Sequence, residues 1–399
     1  METAVIVDAI RTPGGRREGR LSGWHPVDLL AEALSALVAR TGIDARVVDD
    51  VITGCVVPVG AQAINVGRSA VLAAGFPESV PAVTIDRQCG SSLQAIHFAA
   101  QGLMAGAYEV VIAAGVESMS VVPMDANVAD TQYGRPFGDR LHERYADRHY
   151  DRYTGLMHQG IVAEYLADKW GFSRQQLDEY GVRSQERATA AWAESRFEHE
   201  VIPVPERRRM PQASEGELVL MDEGVRPTTL EGLAGLKPAF KDGGKVTAGN
   251  SSQITDGAAA VLLMTAAKAE ALGLRARARI VDLAVVGVDP VAMLTGPIPA
   301  TRKVLVRAGL ALEEIDAFEI NEAFASVVLA WAAEIGPDMD KVNIHGGAIS
   351  LGHPLGASGA MRCATLLNVL EEQSGRYGLQ SMCEGGGLAN ALIVERIPS

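Results

Sequence analysis

The sequence predicts an α/β protein made from two copies of one βα-rich unit, the first interrupted by a long insertion. Three observations carry this expectation. Short apolar, β-branched segments alternate with longer stretches of helical periodicity. Their order in the first third of the chain returns in the last third, and even the openings match, AVIVDAIRT at 4–12 being echoed by ARIVDLAVVG at 278–287. Residues 121–249 between them are charged and resemble neither copy.

The first half spans residues 1–120 and resumes through about 250–275. METAVIVDAIRTPGG opens it as a strand, with no basic leader before its short apolar run. VDDVITGCV (48–56), PAVTIDRQCG (81–90) and YEVVIAAGVES (108–118) follow as buried strands with helical patterns between them. After Cys89, residues Leu93, Ile96, Ala100, Leu103 and Met104 fall on one helical stripe. Strand, turn, helix, strand is the arrangement of a parallel sheet with crossovers. The second half, 276–399, repeats the order with EIDAFEINEAF (314–324), DKVNIHGGAIS (340–350) and LQSMCEGGGLANALIV (379–394), each read as a strand. Two such copies are expected to pack their sheets around shared central helices. The insertion holds helical patterns at 158–170 and 174–195, and basic runs such as PERRRMPQ. Its arginine-rich run also carries Asp139, Glu143, Asp147 and Asp151 at helical spacing, which reads as a solvated or subunit-contacting face.

Composition narrows the function. A chain of 399 residues with 48% apolar and 21% charged residues is globular and long enough for two or three packed units. Its formal charge of -13 argues against a general nucleic-acid surface, so an anionic ligand needs a local cluster of cations. No stretch approaches the ~20 unbroken apolar residues that span a bilayer, so no membrane partner is expected. The four cysteines, Cys55, Cys89, Cys363 and Cys383, are dispersed and form no C-x-x-C pair, so neither a disulfide scaffold nor a zinc site is expected. Reduced thiols in a cytoplasmic protein fit that pattern.

The reactive residue types fall at strand ends. Cys89, in DRQCGSS, lies between a strand and a helix, where free amides and the helix dipole lower a thiol pKa and make a nucleophile. The bland alternative is a small buried hydrophobe. The matching corner of the second copy, HGGAISLGHPLGASGA, holds His353 among glycines suited to tight turns and close backbone approach. A phosphate cradle competes, but no Gly-Lys-Ser/Thr follows. Cys383, in MCEGGG, precedes three glycines whose amides can hold an oxyanion. Asn321, in EINEAFA, ends a strand where its amide can fix a water or a carbonyl, or cap a helix. Two thiols and a base at one sheet edge suit cleavage of a carbon–carbon bond between a ketone and a thioester, which needs covalent capture and proton delivery. A redox disulfide is the alternative.

DRQCGSSLQAI, AAGVESMS, TAGNSSQITDGAAA, INEAFA, GGAISLGHPLGASGA and CEGGG occur in this order. In these motifs, over essentially its whole length, the chain resembles the thiolases. The resemblance implies a thiolase-like five-layered αβαβα fold of two similar halves plus a loop domain. It implies acyl transfer between 3-oxoacyl-CoA and CoA, with coenzyme A as substrate, no permanently bound cofactor, no metal, and a homodimer or homotetramer. By position, Cys89 matches the nucleophile, His353 its base, and Cys383 the acid/base that protonates the departing enolate and deprotonates CoA. Asn321 matches the residue that positions a water and, with His353, one oxyanion site; the amides of Cys89 and Gly385 match the other. Ala248, Ser252, Ala323 and Phe324 match positions along the pantetheine channel, His158 and Arg226 loop-domain positions near the pantetheine and nucleotide, and Met293 one beside the acyl pocket.

Departures concern the pocket. Ala389 replaces the last glycine of the usual C-x-GGG-x-G, Leu294 stands where glycine is frequent, and Glu384 follows Cys383. A carboxylate facing Cys383 would raise its pKa, so Glu384 is expected to point away. GWHPVDLL, ASVVLAW and PDMDKVNIHGG resemble the branch that degrades steroid-derived or other bulky acyl-CoA more than the acetoacetyl-CoA-forming branch. The rivals are a ketoacyl synthase, which would need a second histidine where Asn321 and Cys383 stand, and a non-catalytic acyl-CoA or sterol carrier.

Overall fold

In the computed structural model, residues 2–129, 134, 136–150, 153–209 and 216–398 are described; Asp151 and the end of the PERRRMPQ run lie outside them. The first half runs β1 (Ala4–Arg11), α1 (Pro26–Thr41), β2 (Asp50–Gly54), α2 (Val66–Ala73), β3 (Ala82–Ile85), α3 (Ser91–Met104) and β4 (Val110–Ser118). Two long insertion helices follow, α4 (Gln159–Lys169) and α5 (Arg174–Ala193), before β5 (Thr255–Thr265) completes that half. The second half comprises β6 (Ala278–Gly287), α6 (Pro297–Ala308), β7 (Ile315–Ile320), α7 (Ala325–Ile335), α8 (Ser358–Glu372), β8 (Tyr377–Glu384) and β9 (Leu388–Arg396).

Local chemistry sets the helix ends. Pro26 occupies the first turn of α1, where its missing N–H costs nothing, and Gly42 closes the helix at φ 69°, donating to the Val38 carbonyl. Ser173 and Gln176 form a reciprocal capping box at the start of α5. By contrast, Gly90 caps α3 with no side chain.

The strands form one continuous path, β7-β8-β9-β6-β1-β5-β4-β2-β3, with the short strand Gly15–Arg16 added on β5. The path repeats itself. β2 is parallel to β3 and β4, as β7 is to β8, while β5 runs antiparallel to β1 and β4, as β9 does to β6 and β8. Among the described strands, those of the two halves pair through Val5–Arg279 and Ile6–Ala278. The sheet is therefore mixed and not parallel throughout, a correction to the reading from strand order alone.

Two further segments depart from expectation. DKVNIHGGAIS is not a strand: only Val342 bridges to Phe318, and Asn343 and Gly346 turn the chain at positive φ. The Asn343 side chain takes over the missing pairing, its Oδ1 accepting from Ile320 N and its Nδ2 donating to Ile320 O, both at 2.8 Å. LQSMCEGGGLANALIV is two strands, β8 and β9, because Gly386 and Gly387 adopt φ near 78° and 79° and close a hairpin.

Alternation along the strands divides the core. In β4, Val110, Ile112, Ala114 and Val116 pack with α1 and α2, while Val111 and Ala113 face the layer of α3 and α8. In β9, Ala389, Ala391 and Ile393 face α6 and α7, while Leu392 and Val394 face that same central layer. Helix, sheet, central helices, sheet, helix is the five-layered αβαβα arrangement. Strands β1, β4, β5 and β8 are buried on both faces and read as largely apolar runs. Every residue from Ser358 to Leu370 of α8 is buried, as a helix between two sheets requires.

Candidate active site

The two central helices begin side by side. A Cβ on Gly359 would lie 2.2 Å from Leu93 N, and one on Gly356 would lie 2.6 Å from Val116 O, so glycine at both positions lets the start of α8 press against α3 and β4. The turn before each helix is thereby brought to one place, with Cys89 on one and His353 on the other.

Cys89 is held in a tight corner. Gln88 before it takes φ 49°, and the Asp86 carboxylate accepts from Gln88 N at 2.6 Å. Ser91 Oγ accepts from Arg87 N and donates to Gln88 O. His353 follows Gly352 (φ 95°), and its N–H donates to Thr255 Oγ1 at 3.0 Å. Its Nδ1 lies 2.6 Å from Ser358 Oγ, whose own proton goes to Pro354 O at 2.7 Å. Ser358 must then accept from Nδ1–H, which leaves Nε2 unprotonated on the site side. Asn321, just beyond β7, donates its N–H to Ser381 O and brings Nδ2 to 3.4 Å from His353 Nε2. Its amide also reaches the Cys383 thiol.

Burial dominates the electrostatics. The Cys89 thiol is pushed well up by desolvation, with neighbouring Cys383, then Glu384, adding to the rise. Cys383 is pushed up to about 12, first by burial and then by Glu384. His353 is pushed down to about 3 by burial, with Arg362 contributing. The helix start expected to acidify Cys89 is outweighed by loss of solvent. The Cys89 thiol and the His353 imidazole are therefore both neutral at rest. Glu384 is turned by strand alternation toward Gly90 and Asn390, away from Cys383, yet when ionised it raises both thiols. Ala389 pairs across the hairpin with Cys383, and Leu294 is buried in the core of the second half.

Two cavities of about 400 Å³ each meet at this point. The first is lined by His353 together with His158, Arg226, Ala248, Ser252, Ala323 and Phe324. The second is lined by Cys89, Gly385, Met293, Gln88, Met157 and Phe137. They share Met124, His158, Gln159 and Leu355. Cys89, His353, Gly385 and the seven expected substrate-binding residues thus lie on a cavity wall, Asn321 is buried beside His353, and Cys383 is buried next to Cys89 and Asn321. Sequence reasoning missed Ser358, although it sits in the quoted GASGA. It also missed Phe240, whose ring packs on His158 and Phe324, and nothing local in LKPAFKDGG marked it.

Glu117, in AAGVES, was likewise given no role. Its buried carboxylate accepts from Val56 N (2.9 Å), Val57 N (3.2 Å), Gln62 Nε2 (2.7 Å) and Gly356 N (2.9 Å). Burial raises its pKa and these donors oppose the rise. The carboxylate ties the turn after β2 to the His353 turn. Glu117→Ala strands buried N–H groups and should lower unfolding free energy by about 3 kcal/mol or more, measured by denaturant titration.

The family model described as Thiolase, N-terminal domain matches residues 4–267, and that described as Thiolase, C-terminal domain matches residues 274–396. The chain is 49% identical over 403 aligned residues to a Mycobacterium tuberculosis protein named steroid 3-ketoacyl-CoA thiolase, covering 100% of this chain and 95% of that protein. It is 43% identical to an acetyl-CoA acetyltransferase of Pseudomonas aeruginosa, covering 99% of this chain and 100% of the other. Among solved structures, it is similar to the Bacillus anthracis acetyl-CoA acetyltransferase (TM-score 0.89, 38% identity, 100% of this chain and 99% of that one). It is equally similar to human mitochondrial 3-ketoacyl-CoA thiolase (TM-score 0.89, 36% identity, 99% of each).

Proposed function

Because this chain belongs to the thiolase family and is an acyltransferase of the degradative kind, we propose that Cys89, His353, Cys383, Asn321 and Gly385 carry out its reaction, the cleavage of 3-oxoacyl-CoA by CoA. The supporting observation is the convergence of these residues, from both halves of the chain, where the two cavities meet. Coenzyme A enters as substrate along the wall of Ala248, Ser252, Ala323 and Phe324, past His158, with Arg226 toward its phosphates. The acyl group occupies the second cavity beside Met293.

Cys89 Sγ attacks the 3-keto carbon as His353 Nε2 takes its proton. Amides of Cys89 and Gly385, and His353 with the Asn321-held water, stabilise the oxyanions, each hole contributing about 3 kcal/mol. The carbon–carbon bond breaks, the acyl group stays on Cys89, and Cys383 protonates the departing enolate to give acetyl-CoA, or propionyl-CoA from an α-methylated substrate. The Cys383 thiolate then deprotonates incoming CoA, whose sulfur takes the acyl group, and His353 returns its proton to Cys89. Every proton is accounted for without an external acid.

The acyl group is proposed to be bulky, steroid-derived or comparable in size. The apolar second cavity, walled by Val56, Phe137, Met157, Met293 and Leu355, supports this, as does the name of the Mycobacterium tuberculosis relative. The test is turnover with a panel running from acetoacetyl-CoA through long-chain to steroid-derived 3-oxoacyl-CoA, with mass analysis of the Cys89 peptide. Burst release of acetyl-CoA and an acyl mass on that peptide are expected. Saturable binding without turnover would instead favour a carrier. Arg226→Ala should raise the CoA KM about tenfold with kcat nearly unchanged in steady-state assays, since it removes a charged contact made equally in ground and transition states. A homodimer or homotetramer is proposed as the working assembly; β3 ends the sheet with Val83 42% exposed, an edge suited to a second copy.

A further inference from the structure

Helix α3 and strands β8 and β9 carry buried polar side chains that the reaction does not use. Gln94 and His97 stand on α3, Gln380 and Glu384 on β8, and Asn390 on β9, and each has at least one polar atom without a partner among the described residues. Glu384 is the carboxylic acid among them: it is fully buried, and neither of its oxygens has a partner among the described residues. It directly follows Cys383 in β8, and its Oε1 lies 2.0 Å from where a Cβ of Gly90, the residue after Cys89, would sit. Asn390 Oδ1 and Nδ2 each lie 2.8 Å from the same point. The orientation of that amide is fixed, because Asn390 Nδ2 donates to Gly90 O at 3.0 Å, which leaves Oδ1 as an acceptor without a donor.

An ionised Glu384 would leave a buried carboxylate with no donor, near an amide oxygen that also lacks one. A protonated Glu384 would satisfy both, donating its O–H to Asn390 Oδ1. We propose that Glu384 is a positioning residue held as a neutral carboxylic acid, bonded to Asn390, which keeps negative charge away from Cys89 and Cys383 and whose deprotonation at alkaline pH switches both thiols toward their unreactive form. This rests on the reading of those cysteines as the reacting thiols. Each half-reaction places negative charge on one of their sulfurs, and a carboxylate beside them opposes it.

Among the described residues, the charged and titratable groups that interact with Glu384 are Asp86 and Arg87 on the turn before α3, Cys89 at that helix start and Cys383 on its own strand, while His97 on α3 interacts with the same Arg87. Burial raises Glu384 to about 8, with Arg87 opposing and Asp86 reinforcing the rise. His97 is pushed down to about 3 by burial and Arg87, so it brings no charge. Glu384 is then neutral below about pH 8 and ionises above it, so the penalty on the thiols appears as pH rises.

The test compares the full-length parent with Glu384→Gln, which keeps the shape and can donate Nε2 to Asn390 Oδ1 but cannot ionise. Iodoacetamide alkylation of Cys89, followed by peptide mass analysis between about pH 6 and 10, should run about tenfold faster in the variant at the alkaline end, the effect of one pKa unit on the thiolate fraction. The alkaline loss of kcat/KM in the parent should shift or disappear in the variant. Isotope-edited infrared spectra of the parent, which need no variant to fold, should show a protonated carboxyl band that titrates near pH 8. Identical alkylation profiles in the two proteins, or a carboxylate already ionised at neutral pH, would overturn the inference. Failure of Cys89 to take up acyl groups in either protein would instead remove the reading of the site.

Discussion

Cys89→Ala abolishes acyl transfer: turnover falls by roughly 10⁴-fold or more, no acyl mass appears on the peptide, and CoA affinity stays within about a factor of two. The size of the effect follows from geometry. Cys89 is the thiol on the wall of the second cavity, with the Gly385 turn beside it, whereas the residues proposed to bind CoA line the first cavity. Removing the sulfur eliminates the covalent path while leaving the CoA wall intact. Stopped-flow release of acetyl-CoA, mass analysis of the peptide and CoA titration by calorimetry separate these outcomes. Turnover retained by the variant would take the nucleophile away from Cys89.

Cys383→Ser slows both half-reactions, by roughly 10³-fold each, because a general acid or base contributes about 10² to 10⁴ and a buried serine hydroxyl is a far weaker acid than a thiol already pushed up to about 12. Single-turnover acyl-enzyme formation and acyl transfer to CoA, measured separately, should lose rate together. A variant with only a weaker CoA affinity would show that Cys383 shapes the channel and moves no proton. The resting site also fixes the acid side of the pH profile. His353 is pushed down to about 3, so it remains a neutral base throughout the range in which enzymes are assayed, and an acidic limb near pH 6 would not belong to it.

The candidate site residues were legible in the sequence because Cys89, Asn321 and Cys383 lie at or just beyond the ends of strands, which are recognisable from apolar runs, and His353 lies in a glycine-rich turn. The two halves were legible because β1 and β6 carry nearly the same pattern. What escaped depends on contacts between distant residues. Asn343 pairs with the Ile320 backbone as a strand would, so DKVNIHGGAIS carries strand-like residues without being a strand. The hairpin after Cys383 was hidden inside a long apolar run, although GGG is itself a turn signal. The rise in the Cys89 pKa was not visible either, since a helix start can be seen in one dimension and the exclusion of water cannot. Ser358 and Glu117 stood inside quoted motifs, but their roles follow from the atoms they meet.

Helix α8 has a consequence for biogenesis. It fills the interior between two sheets, yet it lies at 358–372, near the carboxyl end, and most of the surface it covers is translated earlier. While a ribosome is still making the chain, the first sheet has α3 but not the second helix of the shared layer, so its inner apolar face stays open until almost the last tenth of the polypeptide has emerged. Synthesis thus leaves a long interval in which holding factors, and not the protein's own packing, must shield that face.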